Sequence, residues 1–222
     1  MKTAIILGSK SEIAEGLAPF LKNDGWAIEN WYRGGSVKDF SRWKLALVCL
    51  GQIAPVGDWR EQYNEDVLSC YESNLFLPWR LLRAIWDRAE EDASVCFLAG
   101  SNPNRIMAGY SAYNTSKMAL LKLCEQLDFE TPNAKFFALA PGYVDTKIHQ
   151  ATLESGIANE VIERGKITSF EKIYNCLEWC IRQPKEIVGG RNICVSDPYG
   201  VDLYDRLETD SNLFKLRRYE GR

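Results

Sequence analysis

The sequence contains a single histidine, His149, and this scarcity restricts the metal chemistry that the chain can support. Its seven cysteines are scattered, without the paired spacing of a zinc finger. Cys176 and Cys180 lie one helical turn apart, but no second pair accompanies them. We therefore expect no metal site, and we interpret the cysteines as buried, reduced thiols of a cytoplasmic protein.

Long apolar runs and an excess of basic residues are also missing. The apolar run that starts at Ala4 is shorter than a signal-peptide core, and no segment reaches the roughly 18 residues that a membrane-spanning helix needs. Lys and Arg number 27 against 30 Asp and Glu, a net charge of −3 that argues against a nucleic-acid surface. We expect a soluble, cytoplasmic protein that binds neither membranes nor nucleic acids.

Short apolar runs beside turn residues alternate with longer helical patterns along the chain. The runs are Ala4–Leu7, Ala27–Tyr32, Leu45–Leu50, Val95–Ala99, Lys135–Ala140 and Arg191–Val195. The helical patterns are Ser11–Asn23, Tyr63–Ala89, Ala112–Phe129 and Phe170–Gln183. This alternation predicts an α/β fold, a doubly wound, Rossmann-like parallel sheet with helices on both faces. Ligands of such sheets bind just beyond the carboxyl ends of the strands.

The first strand leads through Gly8, Ser9, Lys10 and Ser11 into a helix. A glycine at a strand end permits a tight turn, and the helix amides behind it can hold a pyrophosphate. Glu12 and Ala14 occupy the positions at which a glycine-rich fingerprint has its next two glycines. Taken alone, the segment fits an ordinary strand-to-helix turn equally well.

The second strand ends in Tyr32 and Arg33, without the carboxylate that usually accepts from the ribose 2′-hydroxyl of NAD. Lys10 in the first turn approaches the same ribose from the other side. Two cations and no carboxylate favour a 2′-phosphate, so we expect NADPH as cofactor.

Tyr113 and Lys117 open a predicted helix, and their spacing of four places both side chains on one face. A nearby ammonium stabilises a phenolate, so we expect Lys117 to lower the pKa of Tyr113. A chain of this composition contains about one such pair by chance. A second pair, Tyr143 and Lys147, follows Pro141-Gly142, a poor place for one regular helix.

The surroundings of Tyr113 resemble the active-site segment of the short-chain dehydrogenases/reductases. The strand Val95–Ala99 is followed by Gly100-Ser101, a short loop and then Ser111–Lys117. Three further motifs come in the order typical of that family. They are Asn74 in a helix, Pro141-Gly142-Tyr143-Val144-Asp145-Thr146 after the next strand, and Asp39-Phe40-Ser41 on the adenine side. The resemblance runs from residue 1 to about residue 200.

This resemblance implies a role for each matching residue. Tyr113 would be the general acid for carbonyl reduction, and Lys117 would hold the cofactor ribose. Ser101 would orient the substrate oxygen, and Asn74 would anchor a water that links Lys117 to solvent. The implied cofactor-binding residues are Gly8, Ser9, Lys10, Ser11, Ile13, Arg33, Asp39, Phe40, Leu50, Gly51, Tyr113, Lys117, Pro141, Gly142, Val144 and Thr146.

Four features depart from the family pattern, and the first is the depleted glycine-rich turn after the first strand. Ser101 lies twelve residues before Tyr113 where the family has thirteen, and Gly100 holds the expected position. Val48-Cys49-Leu50-Gly51 replaces an Asn-Asn-Ala-Gly stretch. Between Arg33 and Leu45, about a dozen residues replace a helix, a strand and a second helix. We therefore expect an open adenine side and weakened cofactor binding.

The substrate side is predicted to include the loop Asn102–Arg105 and the segment Lys147–Gln150. Arg105 and Lys147 fit a polar, sugar-like substrate and equally fit solvated loops. Residues 201–222 form an extension that we expect to pack on the same domain or on a neighbouring subunit, with a short helix at Leu213–Leu216. The resemblance implies a homodimer or homotetramer formed through the helices that carry Asn74 and Tyr113.

The leading hypothesis is an NADPH-dependent oxidoreductase that reduces a carbonyl or oxidises an alcohol. A sugar-nucleotide epimerase or dehydratase is an alternative, although the larger substrate domain usual for that class is absent. A catalytically silent NADPH-binding sensor or scaffold is the other alternative, which the depleted glycine turn favours.

Overall fold

A computed structural model of the chain describes residues 2–37, 39–100, 106–157, 166–197 and 200–216. Its centre is one six-stranded sheet with the strand order β2-β1-β3-β4-β5-β6, in which every neighbouring pair is parallel. The strands are β1 Lys2–Leu7, β2 Trp26–Trp31, β3 Trp43–Val48, β4 Ala89–Leu98, β5 Ala134–Ala140 and β6 Asn192–Cys194. The doubly wound fold expected from the sequence is confirmed.

Helices connect and cover the strands, and three of the four long helical patterns of the sequence form single helices. The fourth, Tyr63–Ala89, divides into two α-helices, and Ala89 at its end is a strand residue. The helices are α1 Glu12–Asn23, α2 Asn64–Tyr71, α3 Leu77–Ile85, α4 Ser111–Glu130, α5 Gln150–Ser155, α6 Phe170–Arg182, α7 Lys185–Val188 and α8 Val201–Thr209. A π-helical turn, Glu72–Phe76, joins α2 to α3.

Alternate residues of each central strand enter two separate apolar cores, one on each face of the sheet. In β1, Ala4 and Ile6 pack with α1 and α6, whereas Ile5 and Leu7 pack with α3 and α4. A strand that is buried on both faces has no polar alternation, which explains its continuous apolar run. Helices therefore cover both faces of the sheet.

The chain between β2 and β3 is short, and β2 is an edge strand. The described residues of this connection contain no helix and no strand. The indole N–H of Trp31 donates to the Gly35 carbonyl at 2.9 Å. The Glu29 carboxylate accepts from the backbone N–H of Ser41 at 2.9 Å. These two bonds hold the shortened connection beside β2, the edge strand of the sheet.

The segment after β6 packs against the sheet of the same chain. Leu203 and Leu207 of α8 are buried in one apolar core. The guanidinium of Arg191, which is 2% exposed, donates to the carbonyls of Leu207, Asp210 and Leu213.

The helix expected at Leu213–Leu216 is wrong. Residues 211–214 form a turn, in which the Asn212 carbonyl accepts from the Lys215 N–H. The next two carbonyls, of Leu213 and Phe214, accept from the Arg191 guanidinium and from the Asn192 backbone N–H instead of continuing a helix. The helix of this extension lies earlier, at Val201–Thr209. The remainder of the extension, residues 217–222, lies outside the described residues.

Candidate active site

A cavity of about 720 Å³ lies beyond the carboxyl ends of β1, β3, β4 and β5. A second cavity of about 520 Å³ shares part of its wall and extends toward the end of β2. The strand order reverses between β1 and β3, so both cavities lie at the topological switch point, the usual ligand position in such sheets. Gly8 and Cys49 follow these two strands, and a side chain at Gly8 would come within 2.8 Å of the Cys49 carbonyl.

Most of the residues proposed to bind a cofactor line one of these two cavities. The larger cavity is lined by Lys10, Ser11, Ile13, Leu50, Gly51, Tyr113, Lys117, Pro141, Gly142, Val144 and Thr146. The smaller one adds Gly8 and Arg33. Ser9, Asp39 and Phe40 line neither cavity. Phe40 packs on an apolar core and Asp39 is exposed, because the shortened connection draws this segment along the sheet edge.

Asn74 is completely buried in the π-helical turn behind the larger cavity. Its carbonyl oxygen accepts from the Gln52 backbone N–H at 2.8 Å, and its amide donates to the Ser116 hydroxyl at 2.9 Å. Ser116 in turn donates to the carbonyl of Tyr113 at 2.8 Å. Single π-helical turns often occur at functional sites, and this one places the Asn74 side chain between β3 and α4.

Lys117 is 4% exposed, and its ammonium donates to the Leu98 carbonyl at 3.0 Å. A side chain at Gly51 would lie 3.1 Å from the Lys117 nitrogen and 2.7 Å from the Asn74 oxygen, so only glycine leaves this corner open. Burial lowers the pKa of Lys117 to about 8, and the nearby thiols of Cys70 and Cys49 oppose that shift. Lys117 therefore remains mostly protonated at neutral pH.

Tyr113 is half-buried on the wall of the cavity, one helical turn before Lys117. Its hydroxyl lies against Gly100, where an added side-chain carbon would come within 2.9 Å of the hydroxyl oxygen. Burial raises the pKa of Tyr113, and Cys70 and Tyr110 act in the same direction. The expected lowering of this pKa is therefore wrong, because burial of the phenol raises the pKa instead. The Tyr113 hydroxyl stays protonated at neutral pH.

Gly100 occupies the position at which the sequence pattern places a serine. Ser101 itself lies outside the described residues, as does the loop Asn102–Arg105. Tyr143 and Lys147, the second pair with this spacing, do not lie on one helix, and this is what the sequence predicted. Tyr143 forms a bridge to Ile167, and Lys147 begins a separate 3₁₀ turn.

Two cations lie at the end of β2 near the smaller cavity. The Lys10 ammonium lies 4.3 Å from the centre of the Tyr32 ring, an arrangement that holds it beside the strand end. Arg33 follows Tyr32 and is exposed. No acidic residue lines this smaller cavity among the described residues. These residues fit a dinucleotide, since α1 begins at the switch point with Ser11 as its cap and the cations Lys10 and Arg33 line the adjoining cavity.

Three residues in this region make contacts that the sequence analysis did not predict. Gln52 bonds Asn74 through its backbone and Ser73 through its side chain, and a polar residue directly after the β3 segment was the available signal. Tyr110 donates to the buried Thr152 hydroxyl at 2.7 Å and so ties α4 to α5. Glu12 accepts from the Lys147 backbone N–H at 2.6 Å, a contact that sequence alone could not reveal.

His149 lines the larger cavity with its ring 5.2 Å from that of Tyr143, and burial lowers its pKa. Within the described residues, no group of three or more His, Cys, Asp or Glu side chains could hold a metal ion. The seven cysteines are free thiols, and six of them are buried. No helix in the described parts of the chain is both long enough and apolar enough to cross a membrane.

No protein-family model and no curated protein sequence matches the chain. Solved structures do match it. A short-chain dehydrogenase/reductase from Saccharomyces cerevisiae is 18% identical with a TM-score of 0.76, over 92% of this chain and 99% of that one. An aldohexose dehydrogenase from Thermoplasma acidophilum is 15% identical with a TM-score of 0.73, over 90% of this chain and 96% of that one.

A third similar structure is a small-chain dehydrogenase in complex with NADPH, which is 15% identical with a TM-score of 0.75. That match covers 87% of this chain and 95% of the other. The chain therefore has the fold of the short-chain dehydrogenases/reductases, in agreement with the resemblance of its motifs.

Proposed function

We propose that the protein is an NADPH-dependent oxidoreductase of the short-chain type that reduces a carbonyl, or oxidises the corresponding alcohol. The observation that carries this proposal is the arrangement of Tyr113, Lys117 and Asn74 on one wall of the large cavity. Tyr113 and Lys117 line the cavity, and Asn74 is bonded to α4 behind them. The remaining wall holds the α1 N-terminus, where a dinucleotide of this fold class binds.

Each side chain has a distinct role in the proposed reaction. Bound NADPH supplies the hydride to the substrate carbon. Tyr113 donates its hydroxyl proton to the substrate oxygen, a role that suits a phenol kept neutral by burial. Lys117 holds the cofactor ribose and provides positive charge beneath the tyrosine. Asn74 keeps α4 and the Gln52 backbone in register. It would also anchor a water that links Lys117 to solvent, so that the Tyr113 phenolate left after proton donation regains a proton from solvent through Lys117.

Ser101 is proposed to orient the substrate oxygen from the loop that follows Gly100. Backbone groups of Pro141, Gly142, Val144 and Thr146 are proposed to hold the nicotinamide and pyrophosphate. Lys10 and Arg33 are proposed to bind the 2′-phosphate, which makes NADPH the preferred cofactor.

The substrate end of the cavity has mixed character. Lys147, Gln150 and Glu154 line it together with Met107 and Ile148. Polar side chains beside short apolar patches suit a small substrate that carries hydroxyl groups, so we propose a sugar-like or other polar carbonyl compound.

We also propose that the protein is a cytoplasmic homodimer or homotetramer. Leu68, Phe76 and Trp79 on α2, α3 and the turn between them are 66%, 43% and 41% exposed, an apolar surface suited to a subunit contact. Trp86 is instead a core residue, stacked on Phe136.

A catalytically silent NADPH-binding protein is the second candidate. The Glu12 carboxylate at the start of α1 and the absence of a side chain at Gly100 favour it, since both depart from the pattern of an active reductase.

The decisive experiment measures NADPH oxidation by the full chain against ketones, ketosugars and nucleotide-linked ketosugars. With the best substrate, Tyr113→Phe should lower kcat by roughly a hundredfold or more, because the proton donor is lost. Its NADPH affinity should persist.

The matched control is Tyr110→Phe, which removes a buried hydroxyl that donates to Thr152 and should cost far less. Full activity of Tyr113→Phe would contradict the mechanism. Tight NADPH binding without turnover of any carbonyl would instead favour the silent protein.

A further inference from the structure

Glu12 is the first residue of α1, and it lines the larger cavity at the N-terminal end of that helix. Its carboxylate accepts a hydrogen bond from the backbone N–H of Lys147 at 2.6 Å. Lys147 follows the loop after β5, on the opposite side of the cavity from the turn after β1. The contact therefore connects two walls that are 135 residues apart in sequence.

The N-terminus of a helix carries a partial positive charge and unpaired N–H groups, which attract anions. In parallel α/β sheets the pyrophosphate of a dinucleotide lies at this end of the first helix. Glu12 is itself an anion at that end, and its bond to Lys147 uses an N–H group of the facing loop. One carboxylate thus meets both features of the site that a pyrophosphate would use.

The charge of Glu12 is not neutralised by a neighbouring cation. None of the ion pairs among the described residues includes Glu12. The nearest cation in sequence, Lys10, lies over the Tyr32 ring beside β2. A pyrophosphate that enters the cavity would meet an unpaired carboxylate of like charge at the start of α1, and the two anions would repel each other.

We propose that Glu12 is a specificity-determining residue that acts as an internal anion in the pyrophosphate position. A dinucleotide must displace the carboxylate from Lys147 before it can bind fully, so Glu12 weakens NADPH binding and holds the loop after β5 against α1 in the free protein. This inference rests on the proposed function, since it requires NADPH as the ligand.

The test compares the wild-type chain with Glu12→Gln, Glu12→Ala and Glu15→Gln by calorimetric titration with NADPH. Glu15 is the matched control, because it lies in the same first turn and lines the same cavity but is exposed and has no bond to Lys147. We expect Glu12→Ala to bind NADPH about tenfold more tightly, with Glu12→Gln intermediate because it keeps a bulky acceptor. Glu15→Gln should change the affinity by no more than about twofold, since its charge is screened by water.

A second ligand localises the effect. Adenosine 2′-monophosphate carries the 2′-phosphate but no pyrophosphate, so its affinity should be the same in all four proteins. Amide exchange gives an independent readout. The Lys147 N–H should be protected in the wild type and in Glu12→Gln, and it should exchange faster in Glu12→Ala.

The proposal is overturned if all four proteins bind NADPH equally, or if Glu15→Gln gains as much affinity as Glu12→Gln. It is also overturned if Glu12→Ala loses NADPH affinity, since Glu12 would then be a ligand of the cofactor. Absence of NADPH binding in every variant, with circular dichroism showing folded protein, would overturn the proposed function itself.

Discussion

The two ends of the cavity are built on different physical principles. At the nicotinamide end, Asn74 and Lys117 are almost completely buried and each is fixed by hydrogen bonds to backbone or to α4. At the adenosine end, Arg33 and Tyr32 are exposed at the last strand of the sheet. Proton transfer depends on fixed geometry and on exclusion of water, whereas phosphate binding needs only cations within reach. The shortened connection between β2 and β3 therefore reduces the surface proposed to bind the adenosine, without disturbing the residues proposed to transfer the proton.

Among substitutions that compare the two ends of the cavity, the largest effect is expected at Asn74, the centre of the buried hydrogen-bond network. We expect Asn74→Ala to lower kcat by about a hundredfold and the free energy of unfolding by roughly 1–3 kcal/mol, since the Gln52 N–H and the Ser116 hydroxyl lose a buried partner. Steady-state kinetics and chemical denaturation measure the two effects.

Ser73→Ala is the control for Asn74→Ala. Ser73 lies in the same π-helical turn but bonds only the Gln52 side chain, so its loss should leave kcat nearly unchanged. Equal losses in the two variants would mean that the turn, rather than the Asn74 side chain, supports activity.

Substitution of Lys117 tests whether its buried ammonium lowers the free energy of unfolding. Its pKa of about 8 lies below the value in the unfolded chain, so the unfolded state binds more protons between these two pKa values. The free energy of unfolding should therefore rise with pH from about pH 8 upward. Lys117→Met should abolish activity. It removes a buried charge and also the single bond to the Leu98 carbonyl, so the net stabilisation of the fold at neutral pH should be roughly 1–2 kcal/mol, measured by denaturant titration.

Lys135 provides the contrast for this stability prediction. Burial lowers its pKa to about 8 as well, but its ammonium donates to the carbonyls of Cys180, Ile181 and Gln183 at the end of α6. Lys135→Met leaves those carbonyls without a donor and should destabilise the protein. If both methionine variants changed stability in the same direction, burial alone would not explain the difference between the two sites.

The smallest effects are expected at the adenosine end. Lys10→Ala and Arg33→Ala should each weaken NADPH binding by about tenfold or less and leave NADH binding unchanged, because only NADPH carries the 2′-phosphate. Titrations of both nucleotides at low and at high salt measure this preference, which should diminish as salt screens the exposed charges. Equal losses for NADH and NADPH would contradict a 2′-phosphate site.

Much of the framework was predictable from local patterns. The six strands and the four long helical patterns were predicted from apolar runs and helical periodicity. This was possible because the positions of a segment that face a core are apolar, and they can be recognised in the segment's own sequence. Tyr113 and Lys117 were predictable as a pair because residues four apart on a helix lie on the same face, one turn from each other. The missing secondary structure between Arg33 and Leu45 was predictable from its length alone.

Other features depended on residues that are distant in sequence. Leu213–Leu216 was predicted as a helix, but the Leu213 carbonyl accepts from the Arg191 guanidinium and residues 211–214 form a turn. The pKa of Tyr113 was predicted to fall, because the spacing to Lys117 shows a neighbouring charge but not the amount of water around the phenol. Gln52 was not predicted as a partner of Asn74, which lies 22 residues further along the chain.

The sequence by itself determined the order of strands and helices, the residues available for proton transfer and the two cations at the end of β2. Only the tertiary structure decided that Asn74, Gln52 and Ser116 form one network, that Phe40 and Asp39 line neither cavity, and that Glu12 meets the Lys147 backbone. The reason is that the spacing of apolar residues along a segment shows which of its own residues will be buried. Hydrogen-bond partners and loss of water depend instead on which distant segments the fold brings together.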